Sequence, residues 1–327
     1  MSRNPARRRT TTRSSQPQRP RIPTLGSACR LMREELGLSR ASAYIRHGVS
    51  PSYLSAIESD SVIPRIEMVE SIITGYRLGP LKARYLRDLH APPRPLEPLD
   101  VLRSHVASNT GLLAQLNELE EQRTPAVLVD PFWNILASNE PLRLMLTGIE
   151  RFSSITSWLF GPDARTVLID WNREVAHSIA STKSVLARYR NSQQAHDLIR
   201  EFQHHSAFGQ AWQTNTDIGY GRDSTDLMHC LSPTGEPTSY RVAIAEPGQA
   251  PDVQLLMALP RPYTGPPLPS PASTTQRSRH ADGRSTDDPM TGGGPETAPR
   301  TDDPVTRIDR TARRNTTTSP QNEPHAD

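Results

Sequence analysis

Residues 39–58 constrain this chain more than any other stretch. Ser39 and Ser50 each stand where a helix begins, and Gly48 stands at the bend between them. A serine oxygen accepts from the free amides of a helix's first turn. Pro51 suits a first helical position, where its missing N–H needs no partner, and Gly48 permits the positive φ of a sharp turn. The spacing predicts two short helices joined by a tight turn. Such a pair lays one helix across a DNA backbone and the next into the major groove. At about 100° per residue, Leu54, Ile57 and Glu58 fall on one side of the second helix. Ser52, Ser55, Ala56 and Ser59 fall on the other, which is the side left to face outward.

The charge along the chain is uneven. Residues 1–21 hold seven arginines (Arg3, Arg7, Arg8, Arg9, Arg13, Arg19, Arg21) and no acid, whereas residues 91–260 hold thirteen basic and nineteen acidic side chains. A basic arm ahead of an acidic body fits a front end that meets a polyanion. The arm would add affinity through phosphates or a minor groove. With 31 prolines and a hydrophobic share of 35% in 327 residues, part of the chain lacks the apolar surface to fold. Residues 1–21 are accordingly expected to be a disordered arm, and 261–327 a disordered tail. Two cysteines, Cys29 and Cys230, are too few for a disulfide framework, which fits a reducing cytoplasm. No apolar run is long enough for a membrane span.

Residues 22–90 read as a compact all-α domain of five helices. Leu25, Ala28, Leu31, Met32 and Leu36 recur at helical spacing behind Thr24, and Gly37 ends that helix. Pro64 precedes a fourth helix with Ile66, Val69, Ile73 and Tyr76 on one face. Pro80 opens a fifth with Leu81, Tyr85, Leu86 and Leu89. Residues 91–99, rich in proline, read as a stiff linker. In 100–260, two strands are predicted about Asp130-Pro131, then a mostly helical section over 139–215 with a possible break near Ser181-Thr182. Strands follow at 226–231, 239–246 and 252–259, an α+β arrangement with a small antiparallel sheet.

Residues 24–79 resemble the Xre-type helix-turn-helix domain of phage-repressor-like regulators. Leu25, Leu31, Arg33, Gly37-Leu38-Ser39, Gly48-Val49-Ser50, Tyr53-Leu54-Ser55, Ile57-Glu58, Pro64 and Leu78 carry the likeness. The resemblance implies double-stranded DNA as partner, a structural ion pair between Arg33 and Glu58, and a homodimer. It places DNA contacts on Arg40, Ser50, Pro51, Ser52, Tyr53, Ser55, Ala56 and Arg65. Tyr44 stands where the family packs a small residue. The outward face lacks side chains that pair bidentately with bases, so modest specificity is expected. Asp60, in the loop after the recognition helix, is expected to repel phosphate.

Residues 100–260 resemble the MmyB-like ligand-binding domain that follows an Xre-type domain in many actinobacterial regulators. The segments are Thr124-Pro125-Ala126-Val127-Leu128-Val129-Asp130, Trp133-Asn134-Ile135-Leu136-Ala137-Ser138-Asn139, Leu159-Phe160, Asp170-Trp171, Leu186-Ala187-Arg188, Ser206-Ala207-Phe208 through Trp212, His229, Gly235-Glu236 and Ala245-Glu246-Pro247-Gly248. This resemblance implies a PAS-like fold and a pocket for a small apolar, fatty-acid-like effector. The pocket residues so assigned are Trp133, Asn139, Trp158, Phe160, Trp171, Phe208, Trp212 and His229, with the aromatics also suited to an ordinary core.

Two Glu-x-x-His pairs, Glu174/His177 and Glu201/His204, place both members on one helical face, as in di-iron bundles. They lie too close in sequence for the intervening helices of such a bundle, so no metal site is expected. The sequence holds no nucleophile elbow, phosphate loop or Cys/His zinc spacing, so no cofactor or enzymatic activity is expected. The expected function is DNA-binding transcription regulation modulated by the effector. The alternative is a DNA-bound platform whose C-terminal domain binds a protein and no small molecule.

Overall fold

Thr24 caps the first helix, α1 (Leu25–Glu35), by accepting from Ser27 N, and the Ser27 hydroxyl accepts in turn from Thr24 N. The computed structural model describes residues 19–268 except Gln249 and Pro251. Arg3, Arg7, Arg8, Arg9 and Arg13 of the arm, and all of the tail beyond residue 268, lie outside these residues.

Four more helices complete the front of the chain: α2 (Arg40–His47), α3 (Pro51–Glu58), α4 (Ile66–Gly75) and α5 (Pro80–His90). Ser39 caps α2 and Ser50 caps α3, and between them Gly48 takes φ +71°. Cys29, Ala43, Leu54, Ile57, Ile72 and Leu86 form the buried centre. Fully burying one such leucine or isoleucine contributes about 1.5–3 kcal/mol. The buried stripe of α1 is narrower than its apolar pattern. Leu31 and Leu36 are exposed because Ala28, Cys29, Met32 and Arg33 turn inward. On α2 the small residue in the packed position is Ala43, while Tyr44 is half exposed.

Gly26 sets how closely α1 meets α3. A Cβ there would lie 2.2 Å from the Ile57 carbonyl oxygen and 2.6 Å from Asp60 Oδ1. Gly26→Ala is therefore expected to push the two helices apart and to cost about 1–3 kcal/mol. Urea denaturation of the full chain checks this, and an unchanged midpoint would refute the close approach.

The linker is pinned along its length. Arg94 N donates to Arg188 O (2.7 Å), Gln194 Nε2 donates to Glu97 O (2.6 Å), and Leu96 packs on the C-terminal cores. Helices α6 (Leu99–Ser108) and α7 (Thr110–Glu121) follow, in a stretch without a clear helical or strand pattern in the sequence.

The sheet has five antiparallel strands: β1 (Ala126–Val129), β2 (Ile135–Ser138), β3 (Met228–Leu231), β4 (Pro237–Ala245) and β5 (Gln254–Arg261), in the order β2-β1-β5-β4-β3. Alternation along β1 divides the core. Ala126 and Leu128 pack with Leu102, Val106, Leu112 and Leu116 of α6 and α7, whereas Val127 and Val129 face the remaining helices. These are α8 (Glu140–Met145), α9 (Ile155–Leu159), α10 (Ala164–Val167), α11 (Trp171–Tyr189), α12 (Gln193–Phe202) and α13 (Ser206–Thr214). Helix α11 runs unbroken through Ser181 and Thr182, and the chain breaks earlier, where Asp170 caps α11. This is the PAS-like α+β arrangement, behind an all-α front. Just beyond β5, Thr264 N donates to Ser239 Oγ (3.0 Å), and the Tyr263 ring meets His229 edge-on. Among the described residues, no helix is long and apolar enough to cross a membrane.

Candidate functional site

The helix-turn-helix is held from behind by one carboxylate. Arg33 grips Glu58 through Nε (2.6 Å) and Nη2 (3.0 Å), and its Nη1 donates to Leu38 O (2.7 Å). Arg40 Nε adds a third bond to Glu58 (2.9 Å) while its side chain stays 40% exposed. The arginine assigned to the DNA backbone is thus also the clamp that joins α2 to α3. On the outer side Ser50, Pro51 and Ser52 are exposed, Tyr53, Ser55 and Ala56 are half-buried, and Arg65 is exposed ahead of α4. The Ser59 and Ser61 hydroxyls both donate to Ala56 O and close the end of α3.

Asp60 is held at the amino end of α1. Its Oδ2 accepts from the Thr24 hydroxyl (2.6 Å) and its Oδ1 from Gly26 N (2.9 Å). The helix dipole there favours negative charge, and because both donors are neutral the exposed carboxylate keeps its charge.

In the C-terminal domain a cavity of about 140 Å³ lies between the sheet and the helices. Val242, Ile244, Leu256 and Ala258 supply its sheet wall, and Leu142, Met145, Trp158 and Leu159 line it from α8 and α9. Trp133 lines it too, from a turn that gives this residue φ +66°. A polar wall faces them, made of Glu174, His177, Ser178 and Ser181 on α11 and Arg222 beyond α13. These α11 positions repeat at helical spacing as a polar face beside its apolar stripe, which is the sequence signal for them. The Glu174/His177 pair thus belongs to the cavity wall. Glu174 is chelated by Arg222, and His177 Nε2 lies 2.6 Å from Asp226 Oδ2. Glu201 accepts from the Ser157 hydroxyl instead.

Of the eight assigned pocket residues, the structure brings Trp133 and Trp158 to the cavity. Phe160, Trp171, Phe208 and Trp212 form an aromatic cluster with Phe202, in which Phe208 stacks on Phe202 at 4.5 Å between centroids. Asn139 caps α8, accepting from Leu142 N and Ala126 N and donating to Thr124 O. His229 is paired with Ser239 across β3 and β4 (Nδ1 to Oγ, 2.9 Å), and burial lowers its basicity. Cys29 and Cys230 are buried, which pushes both thiols up to about 12 and keeps them protonated.

Residues 215–222 form a strap between this cavity and the front domain. On one side it is tied to α11: Gly219 N donates to Ala180 O (3.0 Å), and Asn215 Nδ2 donates to Ala176 O (2.8 Å). On the other, Ile218 is buried in the helix-turn-helix core together with Ala187. The Tyr220 hydroxyl donates to Asp88 of α5 (2.5 Å) with Arg84 over its ring, and the Thr216 hydroxyl donates to Glu35 of α1 (3.0 Å). The next two residues, Gly221 and Arg222, line the cavity.

Comparison with known families agrees with this division. Residues 24–86 match the helix-turn-helix domain family, and residues 109–265 match the family of MmyB-like transcription regulator ligand binding domains. No curated protein matches the chain. The chain thus joins a helix-turn-helix domain to an MmyB-like ligand-binding domain, the two parts of a ligand-modulated, DNA-binding transcription regulator.

Proposed function

We propose that the cavity between the sheet and α11 holds a small, largely apolar effector, and that its filling alters DNA binding through the strap. The observation that carries this reading is the continuity of residues 215–222. Their one end packs in the helix-turn-helix core and their other lines the cavity. A ligand that binds one arrangement of the strap better than another shifts the pose of α1 and α5 by that difference in affinity. The role is binding without catalysis, since Glu174, His177 and Arg222 are engaged with one another and with Asp226. The DNA-binding form is a homodimer with half-sites about one helical turn apart.

Filling the cavity from within tests the coupling without a ligand. Ala258, 4% exposed on β5, lines the cavity. Ala258→Leu is expected to change DNA affinity by about 5-fold or more, in the range of ordinary allosteric coupling. Tyr220→Phe, which removes the bond to Asp88, is expected to erase most of that change. Fluorescence anisotropy on a duplex selected by the wild-type protein from a random library, with folding checked by circular dichroism, reads both. Equal DNA affinity in the wild type and a folded Ala258→Leu would count against the strap.

A further inference from the structure

This inference rests on the cavity being the effector site, and concerns what that site accepts. The cavity, partly open to solvent, has about 140 Å³, close to the roughly 150 Å³ apolar cavity that takes benzene. The part of the ligand held inside is therefore on the order of six heavy atoms.

The polar wall limits the head group. Arg222 meets both oxygens of Glu174, with Nη1 3.2 Å from Oε1 and Nη2 on Oε2, and Glu174 is only 9% exposed. Arg222 Nη1 also lies 3.8 Å from Asp226 Oδ2. Asp226 is held in turn by Arg173 and by His177 Nε2. Burial, then the nearby Arg222, lowers His177, whose Nε2 faces Asp226. Two guanidiniums, Arg222 and Arg173, thus face two carboxylates, Glu174 and Asp226. A ligand carboxylate would add a third negative charge beside Glu174 and Asp226. It would gain Arg222 only by stranding Glu174 out of water, where an unpaired charge is costly. Ser178 and Ser181 line the same wall, with hydroxyls able both to donate and to accept.

We infer that this cavity selects a neutral-headed amphiphile, such as an alcohol, ester or amide, and disfavours the carboxylate of the same chain length. The Glu174–Arg222 pair is the element that excludes the acid.

The test titrates the full chain with hexan-1-ol and with hexanoate at pH 7.5. Tryptophan fluorescence reports binding, because Trp133 and Trp158 line the cavity, and saturation-transfer NMR confirms it. Hexan-1-ol is expected to bind at least tenfold more tightly than hexanoate, and Ala258→Leu is expected to abolish that binding. Glu174→Gln leaves Arg222 without its carboxylate, and is expected to raise the affinity for hexanoate relative to hexan-1-ol at least tenfold. Hexanoate binding as tightly as hexan-1-ol to the wild type overturns the inference while leaving the effector site in place. Silence from both, and from dodecan-1-ol and dodecanoate, overturns the effector site itself. The wild-type comparison decides the matter even if Glu174→Gln does not fold.

Discussion

Glu58→Ala destabilises the helix-turn-helix half of the chain by about 3–5 kcal/mol, the range for breaking one side of a buried ion pair. The Glu58 side chain is 1% exposed and holds both Arg33 and Arg40. Without it, Arg33 keeps only the Leu38 carbonyl and a long contact to Glu34 for a guanidinium that is 8% exposed. Arg40 swings free, and α2 loses its tie to the end of α3. Differential scanning calorimetry and DNA binding should therefore fail together, and a variant that keeps wild-type stability would refute the clamp. The pH dependence has a definite sign. Burial raises the Glu58 carboxyl, but hydrogen bonds from Arg33 and Arg40 outweigh it and the net shift is downward from the ordinary 4.5. A carboxylate lowered by folding gives stability that is present above its unfolded value and lost as pH falls through its folded one. Acid below about pH 4.5 should thus loosen this domain in the wild type, and much less in Glu58→Gln.

Asp130→Ala is the second large effect, and it falls on the other domain. Asp130 is fully buried and its carboxylate accepts from Phe132 N (2.8 Å), Asn134 N (2.9 Å) and Asn134 Nδ2 (2.8 Å). These bonds close the turn that holds Trp133 at positive φ against the cavity. Removing them orphans buried donors, at about 3 kcal/mol or more in total. It also frees Trp133 from a backbone conformation that costs a non-glycine residue energy. The expected result is a lower melting temperature with a red-shifted tryptophan emission; unchanged emission would argue against the turn as the support for Trp133. Its pH sign is opposite to that of Glu58. Burial raises Asp130 from 3.8 to about 6 despite the hydrogen bonds from Asn134 and Phe132. A carboxyl raised by folding gives stability that is complete below its unfolded value and lost as pH rises through its folded one. From this group alone, the C-terminal domain is more stable at pH 4 than at pH 7, whereas the front domain gains from Glu58 as pH rises.

The front domain was more legible in the sequence than the cavity, for a physical reason. Caps, turns and helical faces are local, so Ser39, Gly48, Ser50, Leu54 and Ile57 carry their meaning within a few residues. The cavity draws on elements far apart in the chain. Met145, Ile244 and Arg222 have no shared pattern in one dimension, and only the fold places them together. Aromaticity was a weak guide. Phe208 and Trp212 fill the aromatic cluster away from the cavity, whereas the aliphatic side chains of β4 and β5 line it. The polar wall does leave a trace in one dimension, the Glu-x-x-His spacing of Glu174 and His177, whose partners are Arg222 and Asp226. Nor did the acidic character of Asp60 reveal that its carboxylate holds the first turn of α1.

The burial of Ile218 among the front helices bears on how such a regulator can be rearranged. A domain that is exchanged freely between proteins needs a clean seam. Here the seam runs through α5 and α1, because Arg84, Asp88 and Glu35 receive a segment that belongs to the C-terminal half. A chimera cut at the linker would leave Ile218 and Tyr220 without a socket, and the donor's α5 with a gap. Transplanting the sensing half onto a new DNA-reading head therefore means carrying the socket residues with it. In the history of such chains, the residues on the two sides of that seam are expected to have changed together.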